Sequence, residues 1–156
     1  MSAKVTVETL TSEHVNAIKD KLREADVKEV WDASHLKGED ALKASAKKSF
    51  LAWTALIDGE PIFCFGVAPL SQFHFKGQPW MLGTDEVDKL KLRILRQSKG
   101  YVGQMIYHFD ELENWVHESN KVSINWLRWC GFKMDEPKEF GVEKSLFRRF
   151  WMKKGG

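Results

Sequence analysis

The sequence predicts an α/β fold of the layered α+β kind, a mixed, twisted central sheet with helices on both faces. Three observations carry this. Two apolar, β-rich runs flank Asp58-Gly59 in "FLAWTALIDGEPIFCFGVAP", a strong hairpin signal. Strand-like and helix-like stretches then alternate, and the chain closes on two strand-like segments. Finally, 156 residues with 43% apolar and 29% charged side chains suit one domain, residues 1–156, with a full-sized core.

The elements follow in order. "KVTVET" alternates Val5 and Val7 with polar residues and predicts a short strand. Ser12 and Glu13 open a helix whose apolar stripe is Val15, Ile18 and Leu22. "DVKEVWDAS" continues in helical style, and "DALKASAKK" predicts another helical piece after Gly38. The hairpin comes next, then a short strand "GQPWMLGTD" bracketed by Gly77, Pro79 and Gly83. From Asp85 to Phe109 the spacing of Leu92, Leu95, Val102, Ile106 and Phe109 is helical, although Gly100 and Gly103 cost about 1 kcal/mol each against alanine. "ENWVHES" predicts a strand. Asn120 then caps a helix of about three turns that ends on Gly131 in the left-handed position. "FKMDEP" and "SLFRRFWMK" are the last strands, joined through "KEFGVEK", which makes about seven strands in all.

Bulk properties exclude several classes. Twenty-four basic against 22 acidic residues leave a net charge of +2, too balanced to argue for general nucleic-acid binding. Cys64 and Cys130 sit in apolar runs and predict buried free thiols. No CxxC, HExxH or paired Cys/His spacing is present, so no metal is expected; His108 and Glu111 at i,i+3 do not make a site. "MSAKVTVETL" lacks the apolar run of a signal peptide, and no stretch approaches a membrane span. The expected location is the cytoplasm. Core or half-buried packing is expected for the seven tryptophans. Trp126 and Trp129 cannot both point inward alongside Leu127, which makes the outward one a contact candidate. The C-terminal Arg148, Arg149, Lys153 and Lys154 are contact candidates on charge.

The element order, with "WVHESNKVSINWLRWCGFK" at its centre, resembles the GNAT (Gcn5-related N-acetyltransferase) fold. Asn120, Gly131 and Phe132 stand where that family has a strand end, a helix-capping Asn and a helix-ending Gly-Phe. A closer resemblance covers nearly the whole chain. "WDAS", "WTALIDGEPIFCFGVAPL", "PWMLGTDEV", "LENWV", "SNKVSINWLRWCGF" and "FRRFWMKKGG" look like a family of small proteins of short-tailed double-stranded DNA phages, described as internal virion proteins or a domain of unknown function. That resemblance implies a role in virion morphogenesis. It also implies phage or host proteins as partners and the cytoplasm of the infected bacterial host or the virion as location, while the balanced charge and the lack of an apolar span lead to no nucleic acid or membrane being expected.

Acyl transfer on this frame needs a phosphate nest, an acid for the leaving thiolate and a base for the amine. The resemblance places the nest after "PWMLG", at Leu82, Gly83 and Thr84, with Asn120 across the cleft. Asp85, Glu86 and Asp88 follow there. Such acids suit a bare helix start but repel a diphosphate, at about 0.5 kcal/mol per charge pair at ~8 Å in water. A rival register reads "KLKLRIL" as a strand through Leu90, Leu92 and Ile94. The phosphate loop would then be Gln97, Gly100, Val102 and Gly103, leaving only 20 residues before Asn120 for a helix and a strand. The family's acid, a Tyr, corresponds to Leu127, which carries no proton; Tyr101 and Tyr107 lie in the preceding helix. Glu86, His117 and Glu118 are the candidate bases. The expectation is therefore a non-catalytic protein that works by contact and needs no cofactor. The alternative is an N-acyltransferase using acetyl-CoA.

Overall fold

The computed structural model describes residues 3–70 and 75–155, the side chains of residues 88–95 excepted. His74 and the side chains of Asp88, Leu90, Leu92, Ile94 and Leu95 lie outside the described set. The order is β1 (Val5–Thr9), α1 (Ser12–Ile18), α2 (Glu24–Ser34), α3 (Gly38–Lys48), β2 (Leu51–Ile57), β3 (Glu60–Pro69) and β4 (Lys76–Gly83). A 3-10 turn (Asp85–Leu90) leads into α4 (Lys91–Tyr107), followed by β5 (Glu111–His117), α5 (Lys121–Trp129), β6 (Lys133–Met134), β7 (Lys138–Phe140) and β8 (Ser145–Lys153).

Eight strands form one sheet in the order β1-β2-β3-β4-β5-β8-β6, with β7 also on β8. The eighth strand is β7, in a segment whose sequence reads as a connection. The described pairings are antiparallel except β4–β5, which is parallel. The predicted hairpin forms with Ile57 opposite Glu60. Asp58 and Gly59 take φ values of 48° and 83°, the mirror-image turn that matches strand twist. Thr11, not Ser12, caps α1: its hydroxyl accepts from the His14 N–H while His14 Nδ1 accepts from the Thr11 N–H, each at 3.2 Å. "KLKLRIL" runs from the 3-10 turn into α4, so the rival strand register does not form.

The helices lie on both faces. Val15, Ile18, Ala41 and Leu42 of α1 and α3 pack against Cys64 and Leu82. Val102, Met105, Ile124 and Leu127 of α4 and α5 pack against Phe63, Phe65, Val67 and Leu112. Alternate residues of β3 thus feed opposite layers, as strand geometry requires. α5 ends as predicted. Gly131 has φ 100°, Phe132 N–H donates to the Leu127 carbonyl at 3.1 Å, and Gly131 N–H donates to that of Arg128 at 3.0 Å.

Candidate functional site

β4 and β5 run parallel but pair only at Lys76–Glu111 and Gly77–Leu112. Beyond those residues they diverge toward Gly83 and His117, and a cavity of about 290 Å³ opens between them. Trp80, Trp115 and Phe140 line it on one side of the sheet, Val102, Trp126 and Leu127 on the other, with Glu29 at its edge.

Strands that part leave backbone groups without a ladder, and each needs a partner. On β4 these can be assigned. Leu70 N–H bonds the Lys76 carbonyl, and Thr84 N–H bonds that of Ile62. The alternation between these ends turns residues 77, 79, 81 and 83 toward β5. Pro79 has no N–H, and its carbonyl accepts from Asn114 Nδ2 at 2.7 Å. Gly83 N–H donates to Asp26 Oδ2 at 3.0 Å, and its carbonyl accepts from Arg23 N–H at 2.8 Å. On β5, Trp115 N–H donates to Asn114 Oδ1 and His117 N–H to Glu29 Oε1, each at 2.8 Å. Gln78 Nε2 reaches Asn114 Oδ1 across the gap at 3.2 Å. Among the described residues of β4 past the paired end, only Met81 keeps both groups open toward the gap.

The carboxylates that close the wide end belong to α2. Asp26 is fully buried, and Arg23 is 5% exposed. Arg23 Nη1 donates to Asp26 Oδ1 at 3.2 Å and Nη2 to Asn120 Oδ1 at 3.4 Å. Asn120 Nδ2 donates to Asp26 Oδ1 at 3.4 Å and Glu29 Oε1 at 3.3 Å. Burial, then the charge of Asp26, pushes the Glu29 carboxyl up to about 8. Asn120 therefore sits at the N-cap position without a side-chain cap bond. The predicted cap is corrected: its amide is 1% exposed and recruited inward, where an unmet polar group would cost more.

The remaining candidates divide. His117 and Asn120 meet at Glu29, and Gly83 joins them through Asp26. His117 Nδ1 must accept from the Ser119 N–H at 3.1 Å, so its Nε2 carries the proton and donates to Asp32 Oδ2 at 2.9 Å. Ser119 Oγ lies 2.8 Å from the same Nδ1. Asp32 also accepts from Ser145 Oγ and Lys28 Nζ. Burial pushes the Asp32 carboxyl up, but these three bonds together outweigh it and hold the group below its usual range. Glu118 is held ionised by Arg148, whose Nε lies 2.6 Å away, and by Lys121. That lowered basicity makes it a poor base. Glu86 lies apart, on a shallow depression with Asp58, Glu60 and Asp85. Leu82 is a core residue, and the Thr84 N–H and hydroxyl both donate to the Ile62 carbonyl. A side chain at Gly83 would meet Phe63 Cβ at 2.6 Å. Leu127 is buried, as its replacement of a tyrosine implied.

Sequence reasoning missed Arg23, Asp26, Glu29 and Asp32. The acids recur at i, i+3 and i+6, a spacing that puts them on one face of α2 but reads as a solvated stripe. The C-terminal arginines are also not free: Arg149 pairs with Glu113, with Glu111 at 3.0 Å and with Asp135. Both thiols are buried and pushed up, Cys64 to about 11 and Cys130 to about 12, which makes them poor nucleophiles.

No protein-family profile matches the chain, and no curated protein matches its sequence. Solved structures do match. Aminoglycoside acetyltransferase AAC(6')-Ib in complex with coenzyme A superposes with a TM-score of 0.67 at 14% identity, over 97% of this chain and 95% of that one. A GNAT-family acetyltransferase of Streptococcus pneumoniae gives 0.64 at 12%, over 97% and 100%. A spermidine N-acetyltransferase SpeG chimera from Vibrio cholerae and hSSAT gives 0.63 at 10%, over 96% and 95%. Together with the strand–Asn120–helix–Gly131 frame that carries the sequence resemblance, these place the chain in the GNAT acetyltransferase fold.

Proposed function

We propose that this protein keeps the GNAT frame without acetyl-CoA chemistry and acts through protein contacts, in the assembly or interior of a short-tailed phage virion. The phage setting rests on the sequence resemblance alone. The absence of acyl transfer rests on one observation: the walls of the parted strands are already satisfied from within. Coenzyme A carries two amides in its arm, and an arm laid in this gap needs backbone partners. Asp26, Glu29, Arg23 and Asn114 hold most of them. Leu127 supports the same reading, because it carries no proton at the position where the resemblance implies the family's acid. Calorimetry with acetyl-CoA at physiological salt is expected to show no binding below the millimolar range. A micromolar dissociation constant overturns the reading. In a phage deleted for the gene, folded variants at Glu86 or Glu118 are expected to restore infectious particles, and the double variant Lys153→Ala, Lys154→Ala to restore far fewer. The reverse pattern rejects action by contact.

A second reading, N-acyl transfer to an amine, has one observation in its favour. Glu29 edges the cavity with a carboxyl near 8, so about a tenth is ionised at pH 7 and able to take a proton. Acetyl transfer to a panel of amines that is lost in Glu29→Gln would establish it.

A further inference from the structure

Charge on this molecule is sorted by sheet face. α4 carries Lys91, Arg93, Arg96 and Lys99, and α5 carries Lys121 and Arg128; neither helix contains an Asp or Glu. The absence of acids extends over residues 89–109 and 119–134. The other layer is mixed: α2 and α3 hold Glu24, Asp26, Glu29, Asp32, Glu39 and Asp40 against Lys28, Lys43, Lys47 and Lys48. A chain total of +2 averages over this sorting.

Among the described side chains, the cations Arg96, Lys99, Lys121 and Arg128 of α4 and α5 are exposed. Trp126 Nε1 donates to Ser98 Oγ at 2.7 Å, which sets the two helices in contact. Lys99 Nζ lies 4.6 Å from the centre of the Trp129 ring, and Trp129 is 49% exposed. Arg96 is one turn before Lys99, Arg128 is next to Trp129, and all of these are exposed. Glu118, the acid just before α5, is occupied by Arg148 and Lys121. Gly100 and Gly103 are exposed in the middle of α4, and a Cβ added at either would have nothing within 4 Å, so the helix backbone there lies open to close approach.

We propose that the outer face of α4 and α5, centred on Arg96, Lys99, Arg128 and Trp129, binds single-stranded nucleic acid. The cations meet phosphates, the Trp129 ring offers a stacking platform for a base, and Gln97, Gln104 and Asn125 supply hydrogen bonds beside them. Composition favours this over an acidic protein. Protein interfaces have an apolar centre. Among the described side chains, which do not include Leu92, Ile94 and Leu95 of α4, the exposed large aliphatics Val27, Leu36, Leu70, Val142 and Leu146 lie off these helices, and the exposed large apolar residues on them are the aromatic Tyr107 and Trp129. A single strand is favoured over a duplex because only splayed bases can stack on an indole.

The test uses the full chain and a fluorescent 20-nucleotide mixed-sequence DNA strand, titrated between 50 and 200 mM salt. These conditions are of the order used for such charge-driven binding. Binding is expected to weaken with salt at a log–log slope of roughly −2, about 0.7 for each of three neutralised phosphates. The triple variant Arg96→Gln, Lys99→Gln, Arg128→Gln is expected to lose the slope and most of the affinity. Trp129→Ala is expected to weaken binding about tenfold while largely preserving the slope. Lys43→Ala with Lys47→Ala, on the other layer, serves as a control expected to bind normally. Denaturation midpoints confirm that each variant folds. No binding at 50 mM salt overturns the proposal. So do undiminished binding by the triple variant or by Trp129→Ala, equal affinity for the matching duplex, or displacement of the strand by polyglutamate at equal charge.

Discussion

Asp26 and Glu29 on α2, and Lys99 and Arg128 on α4 and α5, are ionisable residues on helices that cover the same sheet. The first pair turns inward, onto the backbone of two parted strands. The second turns outward, to solvent and an indole ring. The difference follows from what each layer must supply. Opposite α2, β4 and β5 leave N–H groups without ladder partners, and a carboxylate is a strong acceptor for them. Under α4 and α5 lie apolar residues of β3, β4 and β5, so charge on those helices has no internal use. Burial of charge here answers an unmet backbone demand at the cleft, whereas exposure of charge on the far layer leaves it available to a partner.

The sharpest way to break this comparison is to remove one charge from each layer. Asp26→Ala strands the buried Arg23 guanidinium and the Gly83 N–H together. A loss of about 3–5 kcal/mol is expected, as for other broken buried pairs. Arg128→Ala on the outer face is expected to stay within about 0.5 kcal/mol of the parent. Chemical denaturation measures both, and similar losses would mean that the two layers do not differ in this way.

Asn120 distinguishes a cap from a cleft residue. Asn120→Ala is expected to cost about 1–3 kcal/mol, because Arg23, Asp26 and Glu29 each lose a partner. Serine is as good a cap as asparagine. Asn120→Ser is therefore expected to recover little, since its shorter side chain cannot reach the three partners together. Full recovery by serine would restore the capping role that the sequence suggested.

Glu29 gives the inward layer a pH signature. Its carboxyl is raised to about 8 in the fold from an ordinary 4.5. Between those values the folded state holds a proton that the unfolded state has released, so stability falls as pH rises. The contribution is fully present below about 4.5 and lost as pH passes 8. An effect on the order of 3 kcal/mol is expected between pH 5 and 8, and Glu29→Gln should flatten it. Asp32 and Glu118, held low by their partners, act oppositely at the acid end: their contribution is lost as pH falls below the usual carboxylate range. Denaturation midpoints across pH 3–9 for parent and variant separate the two ends.

Much of the fold was legible because its signals are local. Asp58-Gly59 and Gly131 take the left-handed conformations that their residue types permit, and Leu127 falls inward where the helical stripe puts it. That also decides between the tryptophans: Trp126 packs against Ser98, and Trp129 faces out. The site was far less legible. Asp26, Glu29 and Asp32 have the spacing of a solvated helix face, and nothing local says that two parted strands lie beneath them. Asn120 stands where its sequence context puts it but makes different bonds, because its partners are 91 to 97 residues away. The basic layer is hidden for a simpler reason: a total of +2 conceals where the charges sit.

The smallest expected effect bears on the outer layer and on the alternative phosphate-loop register together. Gly100 and Gly103 lie in the interior of α4, with negative φ and nothing within 4 Å of an added Cβ. In a helix without a packing conflict, alanine is favoured over glycine by about 1 kcal/mol at most. Gly100→Ala and Gly103→Ala are each expected to raise stability by about 0.5–1 kcal/mol, read as a modest rise in denaturation midpoint. A phosphate loop at Gln97–Gly103 predicts the opposite sign, because its glycines serve a tight backbone path that a Cβ would obstruct. Destabilisation by alanine at both positions would therefore count against a continuous α4 and restore that register, together with the expectation of coenzyme A binding. Stabilisation at both would leave Gly100 and Gly103 without a role in folding, consistent with an outer face kept open for a partner to approach the helix backbone.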